Sequence, residues 1–185
     1  MCSSDLVARP AYKKQAPRVL FDQAHCNFHT ADGRYQPFAV LITNDGCRVT
    51  PNKQKFSAAV LKGYDVLVIA NALGAAQMNT PEAAQPAFTE AECTAVREWV
   101  RAGGALLLIA DHAPMGAAAE RLSQQFNVEM SKGYTADPNN YPKELNNQGF
   151  ILFNRTNGLL GDHAITRGRN ADERISYVQS FTGQS

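Results

Sequence analysis

The run Ala105-Leu106-Leu107-Leu108-Ile109-Ala110 constrains the fold more than any other stretch of this chain. It is too short for a helix of such uniform apolar character and lies between Gly103-Gly104 and Asp111-His112, so it predicts a strand covered on both faces. Arg18-Val19-Leu20-Phe21-Asp22 and Asp65-Val66-Leu67-Val68-Ile69-Ala70-Asn71 have the same character. Strands of this kind belong to parallel sheets, whose crossovers need helices, and the intervening text supplies them. Pro37 opens a helical pattern through Phe38, Leu41 and Ile42 that Gly46 closes. Residues 47–50 read as a short second strand, and 57–62 as a short helix ended by Gly63. Thr89 with Glu92 forms a capping box, Phe88 and Cys93 take staple positions, and Val96, Trp99 and Val100 share one apolar face. A further helix is expected over about 115–126 and a fifth strand over 128–130. The expectation is an α/β fold, a parallel sheet wrapped on both faces, with 105–110 as its central buried strand.

Beyond that sheet, residues 132–148 turn to Asn, Pro, Gly and Tyr and read as a long loop. Two apolar stretches follow, 150–153 and 175–181, the second alternating like a strand. A length of 185 residues suits one domain, expected over 18–185. A lead-in over 1–17 reads as disordered or artefactual, because Met1-Cys2-Ser3-Ser4-Asp5-Leu6 resembles a translated adapter remnant. The chain stops at Thr182-Gly183-Gln184-Ser185 without a clear terminal element and is read as a fragment truncated at its C-terminus.

Eighteen basic against seventeen acidic residues leave a net charge of +1, with no basic stripe interleaved with aromatics, which argues against nucleic acid as a partner. No apolar run approaches the roughly 20 residues of a membrane span. Cys2, Cys26, Cys47 and Cys93 show neither a C-x-x-C pair nor regular spacing, so neither a zinc ribbon nor a disulfide framework is indicated.

All four histidines fall close to places where an apolar run stops, with carboxylates beside three of them: Asp22 near His25, with His29 next, then Asp111-His112 and Asp162-His163. In an open parallel sheet the ligand crevice lies beyond the carboxyl ends of the strands. A strand order of 2-1-3-4 brings Asp22, His25, Asn71, Asp111 and His112 to one rim. Two chemistries and a plain structural role compete for these residues. The H-x3-H spacing of His25 and His29 places two imidazoles on one helical face, with His112 as a further ligand, so a divalent metal is one candidate cofactor. A histidine held by a neighbouring aspartate, as in Asp111-His112, is a general base without metal. Individual capping and surface roles are the plain alternative. Asn27, Arg34 with Tyr35, His163 and Arg167 are the remaining candidates for contacts to a polar ligand. Gly-x-Gly-x-x-Gly is absent, and Gly103-Gly104 precedes its strand, so a nucleotide loop has little support.

The segments 21–35, 65–71, 103–112 and 161–168 resemble bacterial proteins carrying the DUF4350-type domain of the class I glutamine amidotransferase-like superfamily. That resemblance covers about residues 18–183 and implies a flavodoxin-like, doubly wound parallel sheet in three α/β/α layers. Such enzymes place a nucleophilic Cys at the elbow after the central strand. Here the elbow reads Ala110-Asp111-His112-Ala113-Pro114, so the resemblance implies a member without glutaminase activity. Asp162-His163-Ala164-Ile165-Thr166-Arg167-Gly168 is similar to the His-Pro-Ile-x-x-Gly segment of the trehalose-utilisation-like branch, with Ala164 in place of Pro.

The leading expectation is therefore a crevice for a small polar ligand, a carbohydrate by resemblance. For a hydrolase, His112 would be the base, Asp111 or Asp22 its orienting carboxylate, and His25, Asn27, His29, Arg34, Asn71 and His163 the ligand contacts. A non-catalytic ligand-binding or assembly module is the alternative, with a homodimer open. Many proteins of the family it resembles look periplasmic or secreted, and the resemblance implies the same location as an expectation.

Overall fold

The computed structural model describes residues 7–130, 133–181 and 183–184. Residues 1–6, which carry the adapter-like stretch and Cys2, lie outside the described residues. The chain forms two compact units, Met1–Ser131 and Lys132–Ser185, where the sequence suggested one domain from residue 18 onward. No described helix is long and apolar enough to cross a membrane.

The first unit is built on four parallel strands in the order β2-β1-β3-β4: β1 (Arg18–Asp22), β2 (Arg48–Asn52), β3 (Val66–Ala70) and β4 (Ala105–Ile109). This is the order expected from the sequence. Asp22 pairs with Asn52 and Ala70 with Ile109, so all four strands end at one rim. Side chains alternate across the sheet. Val19, Phe21, Val68 and Ala70 pack on one face with Phe38, Ala39 and Ile42 of α1 (Gln36–Asn44). Leu20, Leu67 and Ile69 pack on the other with Leu61 of α2 (Ala58–Leu61), Cys93 and Val96 of α3 (Glu90–Arg101), and Leu122 of α4 (Met115–Ser123). The Thr89–Glu92 capping box starts α3, as its spacing predicts. After α3 the chain doubles back so tightly that a Cβ at Gly104 would collide with the Trp99 ring.

Two expectations fail here. The strand from 105 is an edge strand, and Leu107 is 42% exposed. The reason is coverage: among the described residues α1 is the helix packed on that face of the sheet, and it reaches Ile109 but leaves Leu107 open. Residues 128–130 form no strand. Asn127 takes a left-handed φ of 57° and the Val128 N–H returns to Ser123 O at 3.2 Å, which turns the backbone away from ladder pairing. The end of the lead-in is bound to the sheet's edge, since Tyr12 N–H donates to Asp45 O at 3.1 Å and Arg48 N–H to Pro17 O at 2.8 Å.

The second unit has short antiparallel pairs: β5 (Tyr134–Thr135) with β8 (Gly183–Gln184), and β6 (Leu152–Asn154) with β7 (Tyr177–Gln179). The two late apolar stretches are thus partners of one another. Between them lies α5 (Ala164–Arg167), a single turn.

Candidate functional site

The loop leaving β1 folds back on its own strand. Asp22 is buried; its carboxylate accepts from Ala24 N–H at 3.2 Å, Asn27 Nδ2 at 3.0 Å and His25 Nδ1 at 2.8 Å. Asn27 Oδ1 in turn accepts from His25 N–H at 3.0 Å. These side chains take the backbone donors that a helix would need, and Cys26 sits at a left-handed φ of 48°. The helix implied by H-x3-H therefore does not form, and His25 and His29 point to different partners. Among the described residues, no three His, Cys, Asp or Glu side chains gather as a metal-holding group.

His25 is 1% exposed, held between the rings of Phe56 and Phe88 at 4.6 and 4.7 Å. Its Nε2 meets Glu92 Oε1 at 2.8 Å. Glu92 also accepts from Phe56 N–H at 3.1 Å, Thr89 N–H at 3.0 Å and the Thr89 hydroxyl at 2.8 Å. Burial pushes its carboxyl up, but the hydrogen bonds from His25, Thr89 and Phe56 outweigh burial and hold it at about 2. Glu92 is thus ionised at neutral pH, Nε2 of His25 donates to it, and Nδ1 lies against Asp22. Such a ring has no open lone pair for a metal or a substrate proton. Asp22, expected beside His112, orients His25 instead.

A second group gathers at the ends of β3 and β4. Asn71 is buried, at a left-handed φ of 52° that asparagine tolerates better than most residues. Its Oδ1 accepts from Asp111 N–H at 3.1 Å and its Nδ2 donates to His29 Nδ1 at 2.7 Å. His29 is 5% exposed and stacks on Tyr35 at 4.8 Å. Burial lowers its pKa; Asp111 pulls the other way, and Arg34 and His112 add to the lowering. Burial, then Asp111, raises the Tyr35 phenol. Asp111 and His112 lie side by side with Asp111 Oδ1 against His112 Nδ1, their side chains 36% and 52% exposed. Arg34 lies over the Phe28 ring at 5.8 Å. His29, Asn71, Asp111 and His112, with Arg34 and Tyr35, therefore share one neighbourhood, and His112, its side chain 52% exposed, has no hydrogen-bond partner at Nε2 among the described residues.

His163 belongs to the second unit, where its Nδ1 accepts from Ile165 N–H at 3.2 Å and caps α5. Asp162 pairs with Arg167 at 3.0 Å, and that hydrogen bond holds its carboxyl below its usual range. Glu92 is the residue whose part here sequence reasoning missed. The capping box signalled Glu92, but nothing local told of its reach to a histidine 67 positions earlier.

No family model matches the chain, and no curated protein matches it. Among solved structures it is similar to a chain titled mmIFT52 N-terminal domain, with 12% sequence identity and a TM-score of 0.57. The match covers 90% of this chain and 65% of that one. At that identity the likeness concerns fold alone.

Proposed function

We propose that the rim built from His29, Asn71, Asp111 and His112 binds a small polar ligand, with carbohydrates the class to test first, and that the domain is flavodoxin-like and related to the glutamine amidotransferase-like superfamily without its thiol. The observation that carries the reading is the pairing of a buried, carbonyl-ready imidazole, His29, with an exposed imidazole, His112, whose Nδ1 is taken by Asp111. The 2-1-3-4 order supports the finer fold assignment, since flavodoxin-like sheets run 2-1-3-4-5. As a hydrolase, the domain would use His112 Nε2 as base toward a water and Asp111 to hold the ring's tautomer. Neutral mono- and disaccharides, titrated by thermal shift and assayed for hydrolysis against wild type and His112→Ala, test this. Binding and turnover lost together in His112→Ala are expected. Full turnover in that variant removes His112 from the mechanism.

A second reading, a binding module without chemistry, is favoured by one observation: His25 and Asp22, the best-formed His–Asp pair in the chain, are spent on holding the fold. Saccharide binding by wild type with no hydrolysis selects it.

A further inference from the structure

We propose that His29 is a neutral hydrogen-bond donor that receives an acceptor oxygen of the ligand at Nε2, and that Asn71 is the positioning residue that imposes this role. The inference rests on the rim being a ligand site and narrows what that ligand can be. Its logic runs along a chain of three groups. A backbone N–H can only donate, so the Asn71 atom facing Asp111 N–H at 3.1 Å is the amide oxygen. The other end of that amide is NH2, and it donates to His29 Nδ1 at 2.7 Å. Nδ1 thereby spends its lone pair, and the proton of the neutral ring resides on Nε2. That nitrogen is buried and has no hydrogen-bond partner among the described residues. A buried N–H left unpaired loses its water without gaining a partner. An oxygen that accepts from it, in a carbonyl, carboxylate or hydroxyl, makes good that loss. A metal ion or an ammonium group meets a proton there and is refused.

The ring is also fixed in space. Tyr35 stacks on it at 4.8 Å and Phe28 lies against it at 5.1 Å, so Nε2–H points in one direction. His29 is therefore neither a base nor a metal ligand, in contrast to the role its H-x3-H spacing suggests.

Imidazole 15N–1H correlation spectra of the labelled protein at pH 7.5 test the tautomer with no ligand present. Protonated Nε2 and bare Nδ1 are expected for His29; a proton on Nδ1 overturns the proposal. Acetate and acetamide, which offer acceptor oxygens, should shift the His29 Nε2–H resonance, whereas methylammonium should not. A response to methylammonium alone, or none to either acceptor, also overturns it. Asn71→Asp keeps an acceptor for Asp111 N–H but faces His29 with a second oxygen, so the proton moves to Nδ1 and acetate should weaken on the order of tenfold or more. If saccharides leave the spectrum untouched while acetate moves it, carbohydrate binding fails and the donor role stands.

Discussion

At the end of β1 an aspartate and the histidine three residues later are buried and tied to α3 through Glu92; at the end of β4 an aspartate and the histidine beside it stand in solvent. The residue types are the same, and both pairs follow apolar strands. Spacing separates them first, because two intervening residues let the His25 ring fold back over the strand end, whereas adjacent positions hold His112 outward. Company separates them second. Phe56, Phe88 and Glu92 close around His25, and no described residue closes around His112 Nε2. A His–Asp pair is thus buried into the fold or left open to solvent according to what other segments bring to it.

The sharpest way to break this comparison is His25→Ala. It leaves Asp22 and Glu92 buried without their shared partner and should cost about 3–5 kcal/mol in urea unfolding. A loss below about 1 kcal/mol would show that the two carboxylates do not depend on the ring.

Next in size is the pH profile. Glu92 titrates at about 2 in the fold against an ordinary value of 4.5, so unfolding takes up protons and the stabilisation, on the order of 3 kcal/mol, is present above pH 4.5 and lost toward pH 2. His29, also lowered, adds a shallower decline that begins below pH 6.5. Urea midpoints across this range should show both steps, and Glu92→Gln should flatten the lower one. Thr89→Ala removes one donor to Glu92 and the N-cap of α3 together, for a loss of about 1 kcal/mol in the same assay. Smallest in stability is His112→Ala, which should stay within about 0.5 kcal/mol of wild type while abolishing what the rim does. A large loss of stability there would place His112 with His25 as a structural group.

The sheet was readable because its instructions are local. Five-residue apolar runs, Thr89 with Glu92, and Pro37 each specify their element without distant help. What escaped depends on packing between segments. The apolar text of β4 looks like that of β3, and the outward Leu107 follows from the reach of α1, which no window around 105–110 contains. His25 and His29 look like one helical pair until Asp22 and Asn27 claim the loop's backbone donors. The placing of Asn71, Asp111 and His112 at neighbouring strand ends was readable from the strand rhythm. The amide of Asn71 joining His29 to the backbone of Asp111 was not, since it spans three separate stretches of chain.

Position 71 has an evolutionary consequence. Asparagine and aspartate codons differ by one base, and both side chains suit the backbone there, so on the role proposed for Asn71 a single nucleotide exchange would invert the polarity of the His29 imidazole. Descendants of this chain could trade oxygen-rich ligands for proton-bearing ones while His29 itself stays unchanged.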